Sequence, residues 1–151
     1  MIKLFEEYND IASICKKYKI ENYTINPDGS VDVNDDVNLF NKKLDRLPLK
    51  FGRVNGNFYC SHNKLTSLEG CPSYVGGNFD CYHNNKLTSL KGSPKEIGGT
   101  FYCHQNKLTS LEGSPKEVGD DFICYSNQLT SLKGAPIKVG GHFYCDSHLL
   151  P

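Results

Sequence analysis

Apolar positions recur along this chain with a period of 21 residues, spaced within each period first by two and then by three. Phe58, Phe79, Phe101, Phe122 and Phe143 follow one another at 21, 22, 21 and 21 residues. A cysteine stands two positions after each: Cys60, Cys81, Cys103, Cys124 and Cys145. Apolar residues alternating with polar ones are the signature of a half-buried strand. A Leu-x-x-Leu pair comes next, at Leu65/Leu68, Leu87/Leu90, Leu108/Leu111 and Leu129/Leu132. Each period then carries a proline (Pro72, Pro94, Pro115, Pro136) and a β-branched residue (Val75, Ile97, Val118, Val139), mostly followed by Gly-Gly. The frame extends backward, with Val37, Leu39, Leu44 and Leu47 in the same columns and Val33 and Val54 in the column of Val75. Six strand-bearing units result, the first divergent, and the 22-residue step is absorbed by one extra asparagine at Asn84-Asn85.

A unit this short cannot bury its own apolar residues, so neighbours must stack and share a continuous core. The expected architecture is a repeat solenoid over 37–151. It carries a curved parallel sheet of about six strands, roughly 30 Å wide at the usual strand spacing. The Leu-x-x-Leu and proline segment returns the chain along the convex side without regular helix. The glycines at 76–77, 98–99 and 140–141 give the sharp turn into the next strand. Ahead of the repeats, Leu4, Tyr8, Ile11, Cys15 and Tyr18 are spaced four, three, four and three, the pattern of an amphipathic helix over 2–18. Asn26-Pro27-Asp28-Gly29 between two β-prone runs predicts a hairpin over 23–33. Helix and hairpin together form an N-terminal cap over 1–36; the competing reading is a separate binding helix. At the other end Leu150 takes the place of a first repeat leucine and the unit stops. An uncovered edge strand there predicts homodimerisation or partner docking, unless it is simply a frayed end.

The segment Phe58-x-Cys60-x-x-Asn63-x-Leu65 resembles the leucine-rich-repeat stretch L-x-L-x-x-N-x-L, with Phe and Cys in two of the leucine places. Asn63, Asn106 and Asn127 take the asparagine position, as does one of Asn84 and Asn85. The unit length, and the Leu-x-x-Leu followed by proline, resemble the short repeats of bacterial effector proteins. The wording of Leu108-Thr-Ser-Leu-Glu-Gly-Ser-Pro-Lys-Glu-Val-Gly is similar to repeat proteins encoded by bacteriophages. The resemblance covers roughly 31–151. It implies a leucine-rich-repeat fold and a protein-binding role, with a host protein, such as an antiviral defence component, as the target.

Charge narrows the partner. Lys plus Arg and Asp plus Glu number 17 each, so the basic excess of a phosphate-gripping surface is missing and nucleic acid is disfavoured. Met1 to Glu7 lack the basic start and apolar run of a secretion signal, and no segment has the apolar length to span a bilayer. The chain reads as cytoplasmic, in the host cell if phage-encoded. The seven cysteines are odd in number and in a reducing compartment, so a disulfide framework is set aside. Five of them in one register form a line, whereas a zinc site needs four ligands converging on a point; they read as core packing. Lys64, Lys86 and Lys107, continued by Gln128, make a short basic stripe that reads as a solvated edge.

The positions around the cysteines vary while the frame is held. The one before each cysteine reads Tyr59, Asp80, Tyr102, Ile123, Tyr144, and the one after reads Ser61, Tyr82, His104, Tyr125, Asp146. The next reads His62, His83, Gln105, Ser126, Ser147, and the one before the phenylalanine reads Asn57, Asn78, Thr100, Asp121, His142. Alternation places all four columns on the concave face. Tyrosine is a good strand former, but tyrosines aligned on adjacent strands also build interaction hot spots. The expected partner-binding residues are Tyr59, His62, Asp80, Tyr82, His83, Tyr102, His104, Tyr125, Tyr144 and Asp146. His62 and His83 beside Asp80 lack a third firm ligand, so no metal, cofactor or catalytic residue is assigned. The function expected is a non-enzymatic protein-binding module. A nucleotide or small-molecule sequesterer and an adhesive virion component are the alternatives.

Overall fold

The computed structural model describes residues 2–150, with side chains of the N-terminal helix described from Glu6 onward. It is a β-solenoid of about five turns carrying one α-helix. Each turn contributes two short parallel strands, so two sheets run the length of the stack. The first is six-stranded and is built from Val37–Asn38, Phe58–Tyr59, Phe79–Asp80, Phe101–Tyr102, Phe122–Ile123 and Phe143–Tyr144. We call it the phenylalanine sheet. Assigned strands are two residues long, yet the backbone pairing is longer. The N–H groups of Phe58, Cys60 and His62 donate to the carbonyls of Asn78, Asp80 and Tyr82 one coil on, and the coils that follow repeat this.

The second sheet, which the sequence reading did not anticipate, runs along the β-branched column. Tyr23–Ile25 pairs antiparallel with Val31–Val33, and that strand begins a parallel series through Phe51–Val54, Tyr74–Val75, Glu96–Ile97, Glu117–Val118 and Lys138–Val139. Its middle strands bury one residue each, Val75, Ile97 and Val118, which leaves no alternation to detect.

Between the sheets lies one core. Phe58, Phe79, Phe101, Phe122 and Phe143 stack ring on ring at 5.5, 5.4, 5.3 and 5.0 Å, and Phe51 closes the column edge-on at 5.1 Å. Cys60, Cys81, Cys103 and Cys124 are fully buried beside them, as are the leucine pairs of the central coils. All the cysteines are free. Burial raises the thiol pKa of each of these four, Cys124 to about 12, so they behave as small apolar groups.

The buried polar groups within the core are satisfied by an asparagine ladder. Asn63 Nδ2 donates to Leu39 O and Cys60 O at 2.8 and 3.1 Å, while its Oδ1 accepts from the N–H groups of Lys42 and Leu44. Asn84, Asn106 and Asn127 make the same pair of donations in their own coils. Asn84 is therefore the ladder residue, and exposed Asn85 is the insertion.

A second ladder explains the glycine pairs. The side-chain oxygen of Asp36 accepts the N–H of Asn57, Asn57 that of Asn78, Asn78 that of Thr100, and Asp121 that of His142. A Cβ at Gly56, Gly77, Gly99 or Gly141 would overlap those oxygens. The first glycine of each pair is held against the preceding coil's backbone in the same way: a Cβ at Gly76 would overlap Asn55 O, and at Gly98 Gly76 O. These pairs thus serve close approach between coils, not the unusual backbone angles expected for a sharp turn. The positive φ falls instead after the leucine pair, as at Gly92 (φ 92°). In the turn where Asp120 replaces the second glycine, the preceding coil carries Thr100, whose short hydroxyl leaves room and makes only a 3.4 Å contact to Asp121 N.

The helix spans Ile2–Lys17. Cys15 and Ile20 are buried, and Ile11, Ile14 and Tyr18 pack on the core. Tyr8, expected on the apolar face, is 54% exposed; Ile14 does the packing that a strict four-three pattern gave to it. Leu4 lies outside the described side chains. At the other end Ser147–Leu149 turns into a 3-10 helix. As a result Leu149 packs on the core, and Leu150, expected in the leucine column, is 59% exposed.

Candidate interaction face

The outer side of the phenylalanine sheet is where the repeat frame leaves residue choice free. Phe58 and Cys60 point inward, so Tyr59 and Ser61 point outward, and parallel register carries those two columns from coil to coil. Of the four columns assigned to this face, two follow the strand alternation of the sheet itself. The column Asn57, Asn78, Thr100, Asp121 is occupied by the ladder just described. His62, His83, Gln105 and Ser126 sit at the corner that ends each pairing, with φ of 54–56°. There the backbone is left-handed and strand alternation has stopped.

The aromatic residues form a connected array. Tyr82, His104 and Tyr125 stack in sequence, with ring centroids 4.6 and 4.8 Å apart. Tyr102 leans on both Tyr82 and His104, at 6.3 and 6.0 Å. His62 meets Tyr82 edge-on at 5.3 Å and lies face to face with His83 at 4.4 Å. Phe40, 43% exposed, extends the array from the first coil at 5.0 Å from His62. Phe40 was not among the expected site residues, although it follows Leu39 and so stands in the column of Ser61 and Tyr82. Tyr144 and Asp146 lie at the last coil and are not part of this array. Tyr144 contacts His142, and Asp146 Oδ1 is occupied by the N–H of Ser126 at 3.0 Å.

Polar atoms lie unsatisfied inside the aromatic array. Ser61 is 1% exposed and His104 9%, each shielded by the larger rings of its neighbours. Ser61 Oγ, His104 Nδ1 and Asp80 Oδ1 are buried without a hydrogen-bond partner. These three residues fall in three consecutive coils. Asp80 is paired in register with Tyr59 on one side and Tyr102 on the other, and Tyr82 follows two residues on in the same coil. Burial among them raises the Asp80 carboxyl to about pH 6. Tyr59 and Tyr102 are shifted upward as well, first by burial and then by neighbouring carboxylates including Asp80. Burial lowers His104, which holds its imidazole neutral at physiological pH. His62 is lowered by burial and then by His83.

A buried polar group without a partner costs about 1–3 kcal/mol. Three such groups lie enclosed beneath this face, a local cost that the surrounding side chains of the described residues do not relieve. Two hollows lie away from its centre. One, lined by Tyr18, Leu44, Arg46, Leu49, Phe51 and Cys71, separates the helix end from the first leucine segment. The other lies at the corner, between Lys43, Lys64 and the paired His62 and His83. Among the described residues no helix is long and apolar enough to cross a membrane. No protein-family model matches the chain, and no curated protein or solved structure is significantly similar to it.

Proposed function

We propose that this protein is a leucine-rich-repeat binding module that holds a protein partner on the outer face of its phenylalanine sheet. The observation that carries the reading is the continuous array Phe40–His62–Tyr82–His104–Tyr125, which encloses three buried polar atoms without partners. Aromatic planes surrounding desolvated polar atoms are the composition of a hot spot, and an open sheet surface suits a macromolecule better than a small molecule. The leucine-rich-repeat assignment is supported by the Phe-x-Cys-x-x-Asn-x-Leu stretch and the asparagine ladder that it builds. Its resemblance to phage-encoded repeats makes a bacterial host protein the target class, with inhibition of that protein as the outcome.

Affinity capture from bacterial lysate tests this. The wild type is compared with a variant carrying Tyr82→Ala, Tyr102→Ala and Tyr125→Ala, and with a control carrying Lys95→Ala and Lys116→Ala, two exposed residues flanking the second sheet. The captured protein is identified, and its binding is measured again with purified components. Loss in the tyrosine variant and retention in the lysine control support the reading, once both variants show wild-type circular dichroism. Equal binding by the tyrosine variant rules out this face.

A further inference from the structure

The unsatisfied atoms define more than a sticky surface. Asp80 sits at the centre of a grid of two columns by three coils: Tyr59 and Ser61, Asp80 and Tyr82, Tyr102 and His104. Its carboxylate has no cation near enough to pair with, since none of the ion pairs in the described residues involves it. The charges that reach its neighbours are the carboxylates of Asp36, Asp120 and Asp121. The charged groups acting at this point are carboxylates, beside tyrosine rings and a neutral histidine, so the local potential is negative.

We infer that the Asp80 grid is a receptor for an arginine side chain presented by the protein partner. The guanidinium pairs with the Asp80 carboxylate through Oδ2, the oxygen that is not enclosed, and lies between Tyr59 and Tyr102, which stand in register on either side of it. This deepens the proposed function and rests on it, since it names what the partner brings to the same face. Arginine fits better than lysine, because a planar cation stacks on tyrosine, whereas a compact ammonium does not. The raised Asp80 carboxyl belongs to the same picture, since an unpaired buried charge is relieved by an arriving cation.

The test uses the full chain, 15N-labelled, and capped tripeptides acetyl-Gly-X-Gly-amide with X as arginine, lysine, citrulline or glutamate. Citrulline has the shape of arginine without its charge. Expected are saturable shifts at Asp80, Tyr102 and His104 with the arginine peptide, weaker ones with lysine and none with citrulline or glutamate. Asp80→Asn, close in shape and uncharged, should weaken arginine binding about tenfold or more while leaving the remaining spectrum in place. Equal shifts with citrulline, an equal response to lysine, or undiminished binding by Asp80→Asn would overturn the inference. If the captured partner is lost by the tyrosine variant but kept by Asp80→Asn, the arginine receptor falls and the binding face stands. If the tyrosine variant keeps the partner, the face itself falls.

Discussion

Asn84 and Asn85 are chemically identical neighbours with opposite jobs. Asn84 Nδ2 donates to Cys60 O and Cys81 O, and its Oδ1 accepts from Leu65 N at 3.1 Å, all inside the core. Asn85 faces solvent. Asn84→Ala leaves buried carbonyls unpaired and should cost about 2–4 kcal/mol in urea unfolding, whereas Asn85→Ala should change stability by less than about 0.5 kcal/mol. The sequence narrowed the ladder position to these two and no further, because an insertion shifts one frame and leaves both candidates in phase. Asp80 shows the opposite limit. Its column was visible, but its burial depends on the tyrosines of adjacent coils and on Tyr82, and no single column reveals that. The sign of its pH effect follows from that burial. The unfolded carboxyl titrates near its ordinary 3.8 and the folded one near 6, so the protonated form is favoured by folding, and that stability is lost as pH rises through 6. The groups facing it, Tyr59, Tyr82, Tyr102 and His104, with Cys60 and Cys81 behind, carry no positive charge near neutrality to offset this. Asp80→Asn should therefore stabilise the chain at pH 8 by about 1–3 kcal/mol, with the gain disappearing below about pH 4. Thermal melts across that range give the answer, and a pH-independent gain would contradict it.

At the level of the element, the unit of design is the joint between successive coils. The second glycine and the ladder oxygen beneath it occupy the same space, and the exception occurs on both sides at once: Thr100 below, Asp120 above. Thr100→Asn alone should place an amide where the Asp120 side chain begins, costing about 1–3 kcal/mol. Asp120→Gly should restore most of it, since residues in contact are energetically coupled. A double-mutant cycle by chemical denaturation measures this, and simple additivity would refute the joint. The phenylalanine sheet was legible because its inward pair, Phe-x-Cys, displays a period of two. The second sheet was hidden because its middle strands bury a single residue each, as at Ile97 or Val118, beside exposed Glu96 or Glu117 and followed by glycine. The glycines also divide by place: those after the β-branched residue fill tight contacts at ordinary backbone angles, and the single one after each leucine pair is both tightly packed and at positive φ.

For the molecule as a whole, stability is a sum of neighbour contacts, so it is graded along the axis. Val75, Val118, Phe79 and Phe122 are buried in the interior coils, whereas Val139, Phe143 and Cys145 are only partly covered. Hydrogen exchange should run fastest in 136–150 and slowest in the central coils around 79–111, with intermediate rates between. Uniform protection would mean that the stack opens as one unit. The period announced the solenoid plainly. The candidate face was legible only in outline, because its residues vary from coil to coil and carry no period, and its enclosed unsatisfied atoms emerge only once coils lie side by side.

The coil joints also set a rule of succession. A coil bearing asparagine below can be followed only by one bearing glycine above, so the turns resemble words with a spelling constraint at each boundary. Duplicating 58–78 after Asn78 repeats a permitted boundary and should lengthen the protein by one turn without disturbing its neighbours. Inserting the same 21 residues directly before Phe101 would set the second Asn78 beneath the Asp120 side chain, and that longer protein should fail to stack.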